Sequence, residues 1–125
     1  MLALTNPRDA YRKVDFDARV AGAGPQELVA LCFEQFVAAL GSALFAAEQA
    51  DNRLKSRALT RALSALTALE LGINTADPIA STLVQVFGAA RRALLDNVVT
   101  FDAVTIRTVH QDFAEIGAAL QLARR

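Results

Sequence analysis

The chain has few side chains whose type and spacing could support catalysis or metal binding. His110 is the one histidine among 125 residues, and no second histidine or cysteine stands near it at metal-ligand spacing. Asp112 and Glu115 lie close by, but they do not form the Glu-x-x-His pairs that helical di-iron sites need on two helices. No glycine-rich phosphate loop, nucleophile elbow or Cys-x-x-Cys pair occurs. We therefore predict no enzyme activity, no cofactor and no metal, and interpret His110 as a packed or solvated residue.

The charge balance argues against nucleic acid and anionic membranes as partners. Thirteen Lys and Arg residues balance thirteen Asp and Glu residues, which removes the long-range attraction that such partners exert. A row with helical spacing, formed by Arg53, Arg57 and Arg61, could contact acidic groups, although a solvated helix face explains it too. This row alone would favour a nucleic-acid-binding helical domain, and the zero net charge opposes that alternative.

The cysteine usage and the first residues indicate a cytoplasmic protein. Cys32 has no partner for an internal disulfide, and its neighbours place it on an apolar helix face as a small hydrophobic residue. The amino-terminal sequence lacks the basic region and long apolar run of a signal peptide. No stretch reaches the roughly 18 uninterrupted apolar residues of a membrane span. We expect no stable membrane insertion.

Prolines and aspartates mark the starts of the elements that must position any site. Hydrophobic residues make up 54% of the chain and Trp is absent, a composition rich in Ala, Leu and Val that favours helices. Pro7, Pro25 and Pro78 suit first helical positions. Asp77 suits the cap of the third bundle helix, and Thr100 or Asp102 suits the cap of the fourth. The patterns predict helices at about 25–50, 53–72, 78–98 and 102–123. Because the connections are short, neighbouring helices should be antiparallel. The predicted fold is all-α: an antiparallel up-down four-helix bundle over 23–125, with a short amino-terminal arm or helix over 1–22.

On two of the predicted helices, the apolar residues cover a wider part of the helix surface than packing against one core requires. On the first bundle helix the apolar residues cover about half of the circumference, and on the third a second row runs beside the core side. The candidate residues beyond the core stripes are Phe33, Val37, Leu40 and Leu44 on the first helix and Val84, Gly88 and Leu95 on the third. In one interpretation, the arm or a second copy of the chain covers these residues. The other makes them a groove for a partner helix, in which Gly88 leaves a dent.

Two stretches at the junction of the arm and the first bundle helix resemble a known family. They read Ala10-Tyr11-Arg12-Lys13-Val14 and Ala21-Gly22-Ala23-Gly24-Pro25-Gln26-Glu27-Leu28-Val29-Ala30-Leu31. The pattern is similar to that of the flagellin export chaperones, the FliS family, whose members begin with a Tyr-bearing arm and an Ala-x-Pro-x-Glu-Leu-type helix entry. The chain length and helix spacing are also similar. The family usually has Tyr-Asp-Gly where this chain has Phe33-Glu34-Gln35, so the chain resembles a divergent member.

The resemblance implies a function for these surfaces. A cytoplasmic chaperone of this family would bind the disordered carboxy-terminal segment of flagellin in the groove and prevent premature polymerisation. It would also help to deliver flagellin to an export gate protein at the membrane, with Tyr11 at the position that contributes to docking. The alternative is a self-associating structural or regulatory bundle, whose first bundle helix forms a homodimer interface over Phe33, Val37 and Leu44.

Overall fold

The computed structural model describes the backbone of residues 7–123 and the side chains of residues 10–121. These residues form five helices and no strand: α1 (Pro7–Ala21), α2 (Pro25–Glu48), α3 (Asn52–Leu71), α4 (Ala80–Val99) and α5 (Ala103–Ala123). The predicted all-α class is confirmed. Each of the four predicted bundle helices begins and ends within two residues of its expected bounds.

Helix α2 makes the most extensive helix contacts, and it packs against both α3 and α5. Helix α4 also contacts α3 and α5, so α2 and α4 lie across the core from each other. This position explains why apolar residues cover so much of α2, since two neighbouring helices and the shared core bury them. The buried residues of α2 are Leu31, Phe33, Phe36, Ala39, Leu40, Ala43 and Ala46.

Four phenylalanine rings join three of these helices in the core. The Phe113 ring of α5 has centroid distances of 5.9 Å to Phe33, 4.6 Å to Phe36 and 5.8 Å to Phe87. Phe33 also meets Phe87 edge to face at 6.1 Å. Such tilted and edge contacts are the geometries that aromatic pairs prefer. Phe113 of α5 therefore contacts aromatic rings of both α2 and α4.

A polar contact ties α3 to α4 at the edge of the core. Arg91 of α4 donates through Nε to the two Glu70 carboxylate oxygens at 3.1 and 3.3 Å, and through Nη2 to the Thr67 hydroxyl at 2.8 Å. The hydrogen bonds to the Glu70 carboxylate raise the pKa of Arg91 above its ordinary value. The Arg91 side chain is therefore bound to α3 of the same chain.

The α2–α3 connection contains the one residue with a left-handed backbone in the described part of the chain, Ala50, with φ of 55°. Its N–H donates to the carbonyl of Ala47 at 3.1 Å, and the N–H of Asp51 donates to the carbonyl of Ala46 at 2.9 Å. This is the Schellman arrangement, in which the left-handed position is usually a glycine. Asp51 then caps α3, since its carboxylate accepts from the N–H of Leu54 at 3.0 Å.

The starts of α4 and α5 depend on aspartates. We expected Asp77 and Pro78 to cap a helix from residue 78, but α4 begins at Ala80. The Asp77 carboxylate accepts from the N–H of Ile79 at 3.0 Å, which forms a turn before the helix. Asp102 caps α5, because its carboxylate accepts from the N–H of Val104 at 3.1 Å and from the Thr105 hydroxyl at 2.8 Å.

The predicted arm is helical from residue 7 onward, and most of its surface is exposed. Tyr11 and Val14 are 79% and 67% exposed, whereas Phe16 and Val20 are half-buried. Near its end, the Arg19 guanidinium donates to the two carboxylate oxygens of Glu34 on α2, at 2.7 and 3.0 Å. An exposed ion pair of this kind contributes about 0–1 kcal/mol. This ion pair links the carboxyl end of α1 to α2.

Helix α2 is, among the described helices, the one that is long and apolar enough to cross a membrane by length and composition. Core helices of water-soluble proteins have the same length and composition. Most of the buried side chains of α2 belong to the core cluster that α3, α4 and α5 complete.

Candidate partner-binding cavity

An open cavity of about 940 Å³ lies where the start of α2, the end of α3, the start of α4 and the end of α5 converge. Aromatic rings form its deepest part, aliphatic side chains line its walls, and small residues of α2 and α5 line one flank. The apolar side chains that line it include Val29, Phe33, Val37, Leu69, Ile73, Ile79, Leu83, Phe87, Phe113 and Leu120. A cavity of this size and character suits an apolar ligand or the apolar face of a helix.

Small residues keep the flank between α2 and α5 shallow. Ala38 on α2, together with Ala114 and Ala118 on α5, lines the cavity with exposed side chains. Gly117 lies against the ring of Phe33, where an added Cβ would be 3.6 Å from the nearest ring atom. This is an ordinary van der Waals distance, so Gly117 leaves a small recess beside the Phe33 ring. The result is a groove that leads from the surface to the phenylalanine rings.

The polar residues at the rim are neutral or acidic. Among the described residues that line the cavity, Glu34 and Asp77 are the two that carry charge at neutral pH. Hydrogen bonds from the Arg19 guanidinium, supported by its positive charge, lower the pKa of the Glu34 carboxyl below its usual range, although partial burial opposes this. The rim therefore presents two acidic side chains, and one of them, Glu34, is held in an ion pair with Arg19.

The structure places the predicted α2 residues at different depths. Phe33 is 4% exposed and Leu40 is 0% exposed, so our expectation that they lie outside the core stripe is wrong. Both are covered within a single chain because α2 has neighbours on two sides. Val37 is half-buried and lines the cavity, as does the edge of Phe33. Leu44 is half-buried against the core, away from the cavity lining.

The predicted α4 residues lie on another side of the molecule. Val84 and Leu95 are 57% and 49% exposed, and none of Val84, Gly88 and Leu95 lines the cavity. A Cβ at Gly88 would meet the Arg92 guanidinium at 3.7 Å, so the predicted dent is partly occupied. Because α4 lies across the core from α2, the outer rows of these two helices do not form one groove.

Tyr11 lies on α1 and remains well exposed, and no described residue of α1 lines the cavity. In this structure α1 is therefore beside the cavity rather than over it. Its link to the rim is the Arg19–Glu34 pair. The roles of Tyr11 and of the α2 and α4 residues in partner binding stay predictions.

Helix α5 and the α3–α4 connection contribute to the cavity, although neither was predicted to do so. Ala114, Gly117 and Ala118 of α5, with Ile73 and Ile79 of the connection, line the cavity. The run Gly117-Ala118-Ala119 was a usable signal, because small residues on a helix face permit close approach of another helix. The connection carried no comparable signal, since its apolar residues reach the cavity only through the packing of α3 and α4.

The remaining reactive side chains do not gather into a site. Within residues 10–121, no three His, Cys, Asp or Glu side chains are grouped so that they could hold a metal ion. Partial burial raises the pKa of the Cys32 thiol, which keeps it in the less nucleophilic protonated form. The His110 ring packs next to Gly41, where an added Cβ would be 3.5 Å from Nε2.

The comparison with known families identifies one match. The family model described as "Flagellar protein FliS" matches residues 7–124, nearly the whole chain. No curated protein matches the chain.

Proposed function

Because this chain belongs to the flagellar protein FliS family, we propose that it is a cytoplasmic export chaperone that binds the disordered carboxy-terminal segment of flagellin. The segment would occupy the cavity between α2 and α5 and fold there as a helix. Covering its apolar face would prevent flagellin from polymerising before export. Four of the helices, over 23–125, would act as an antiparallel up-down bundle that supports this groove.

The observation that carries the proposal is the open cavity with a phenylalanine base. Ordering a disordered segment costs conformational entropy, so the binding surface must bury a large apolar area in return. The cavity of about 940 Å³ offers the rings of Phe33, Phe87 and Phe113 at its base, with a shallow flank beside them. The start of α2, the end of α3, the start of α4 and the end of α5 surround the cavity. This alternation also supports the antiparallel arrangement.

Calorimetry with a peptide of the flagellin carboxy-terminal segment tests the proposal. Ala118→Gln places a longer neutral side chain in the groove from an exposed position of α5. It should weaken binding about tenfold, because about 1–2 kcal/mol of contact is lost. Ala68→Gln is the matched control, because Ala68 is exposed on α3 and does not line the cavity. It should bind as the unchanged protein does.

A second variant tests whether the segment binds in the cavity or on the row of α4 formed by Val84, Gly88 and Leu95. Leu95→Asp changes an exposed residue and should leave the melting temperature nearly unchanged. If the segment lies in the cavity, peptide affinity should also be retained. Weaker binding by Leu95→Asp with normal binding by Ala118→Gln would move the site to α4. Failure of the folded, unchanged protein to bind the flagellin peptide would reject the chaperone function.

We also propose that Tyr11 contributes to docking at the export gate protein. Its side chain is exposed on α1 and away from the cavity, so it is available while the groove is filled. Tyr11→Ala should therefore retain flagellin-peptide affinity and reduce the amount of flagellin exported by cells that depend on this protein. Normal export by the variant would remove Tyr11 from this role.

A further inference from the structure

The charges around the cavity indicate what kind of segment it accepts. Glu34 stands on the α2 side of the rim and Asp77 on the α3–α4 connection, and no described Lys or Arg lines the cavity. A segment that enters an apolar groove between two carboxylates gains from positive charge beside its apolar face. Negative charge at the same positions would be repelled.

Arg19 shows that the Glu34 carboxylate can accept an arginine in this setting. The guanidinium donates to the two carboxylate oxygens at 2.7 and 3.0 Å, the bidentate geometry that an arginine of a partner would use. The Arg19 and Glu34 side chains remain 44% and 58% exposed, so water and other cations have access to the pair. An incoming cation can therefore replace Arg19 without unpacking the core.

We propose that the cavity is selective for a helical segment whose apolar face is flanked by Lys or Arg, with Glu34 and Asp77 as the residues that determine this preference. This inference rests on the proposed function, because it specifies the chemistry of the segment that the same cavity would bind. It also assigns Arg19 as an intramolecular competitor for Glu34. Loss of Arg19 should then strengthen the binding of a cationic segment, whereas loss of Glu34 should weaken it.

Two synthetic amphipathic peptides with identical Leu and Ala faces provide the test, one flanked by lysines and the other by glutamates. The unchanged protein should bind the lysine-flanked peptide more tightly, by about two- to fivefold for each ion pair formed. Glu34→Gln combined with Asp77→Asn should remove most of this difference. Raising the salt concentration should reduce it in the unchanged protein, because the rim is exposed to solvent.

Single variants provide the controls. Glu48→Gln removes an exposed carboxylate at the far end of α2, outside the cavity lining, and should preserve the peptide preference. Arg19→Ala should increase affinity for the lysine-flanked peptide about twofold. Circular dichroism of each variant verifies that the helices are retained.

The outcomes separate this inference from the proposed function. Equal affinities for the two synthetic peptides, no binding of either one, or a lysine preference that survives the double substitution would overturn the charge selectivity. The flagellin peptide tests the chaperone function separately. Binding of that peptide together with equal affinities for the synthetic pair would retain the chaperone function and reject the charge selectivity.

Discussion

Ala50 has a backbone conformation that a glycine would adopt at lower cost. With φ of 55°, an L-residue loses roughly 1–2 kcal/mol to steric contact, whereas a glycine pays about 0.5–1 kcal/mol in chain entropy. Ala50→Gly should therefore raise the free energy of unfolding by about 0.5–1 kcal/mol, measured by urea denaturation. Ala47→Gly, within α2, should lower it by a similar amount. Destabilisation by Ala50→Gly would contradict this account.

Phe113 and His110 lie one helical turn apart on α5 and should respond differently to truncation. Phe113 is 2% exposed and contacts three other rings, so Phe113→Ala should cost about 3–5 kcal/mol of stability. His110 is half-buried beside Gly41, and His110→Ala should cost about 1 kcal/mol or less. Denaturant unfolding of both variants gives the comparison. Equal losses, or a melting temperature of the unchanged protein that depends on added metal, would contradict it.

The cap of α5 predicts a dependence of stability on pH. The hydrogen bond from the Thr105 hydroxyl, followed by that from the N–H of Val104, lowers the pKa of the Asp102 carboxyl below its ordinary value of 3.8. A carboxyl whose pKa falls on folding stabilises the protein above the unfolded-state pKa, and the stabilisation disappears as pH falls through the folded-state value. Asp102→Ala should therefore lower the melting temperature at pH 7 and do so less as pH falls below about 3.8. An undiminished effect in acid would show that the carboxylate charge is not involved.

At the level of the helices, the starts and ends were largely predictable because they depend on local chemistry. Pro25 stands at the start of α2, where the sequence suggested, and Gly72 follows the end of α3. The predicted helix start at residue 78 was the exception, because Asp77 forms a hydrogen-bonded turn and α4 begins at Ala80.

The cavity was predictable only in part. Phe33 and Val37 were identified, but which side of α2 would be covered depended on how α3 and α5 pack.

Helix α1 should be dispensable for folding. The contacts that attach it to the rest of the chain include an exposed ion pair, Arg19–Glu34, and Phe16 and Val20 are only half-buried. Deletion of residues 1–21 should lower the free energy of unfolding by no more than about 1–2 kcal/mol, measured by denaturation with circular dichroism. Deletion of residues 103–125, which removes Ile106 and Phe113 from the core, should prevent folding. Unfolding of the shorter deletion would show that α1 belongs to the core.

For the whole molecule, the arrangement of the core predicts a monomer. The homodimer alternative would bury Phe33, Val37 and Leu44 against a second copy, but helices of the same chain already cover Phe33 and half-bury Val37 and Leu44. Sedimentation velocity at micromolar concentration should therefore give one species with the mass of a single chain. A dimer that persists on dilution and dissociates only with loss of helix would instead support the self-associating alternative. Weak association at high concentration would not support that alternative, because the exposed side chains of Phe45, Val99 and Val104 permit weak apolar contacts between molecules.

Phe113 lines two cavities of the molecule. Its ring lines the cavity beside α2, and it lines a second cavity of about 580 Å³ between α4 and α5, bordered by Val86, Val109 and Ile116. The ring therefore lies between cavities on opposite sides of α5. Truncating this side chain would enlarge both cavities toward each other and bring water closer to the core from two directions. One aromatic side chain therefore limits how far solvent reaches behind the binding surface.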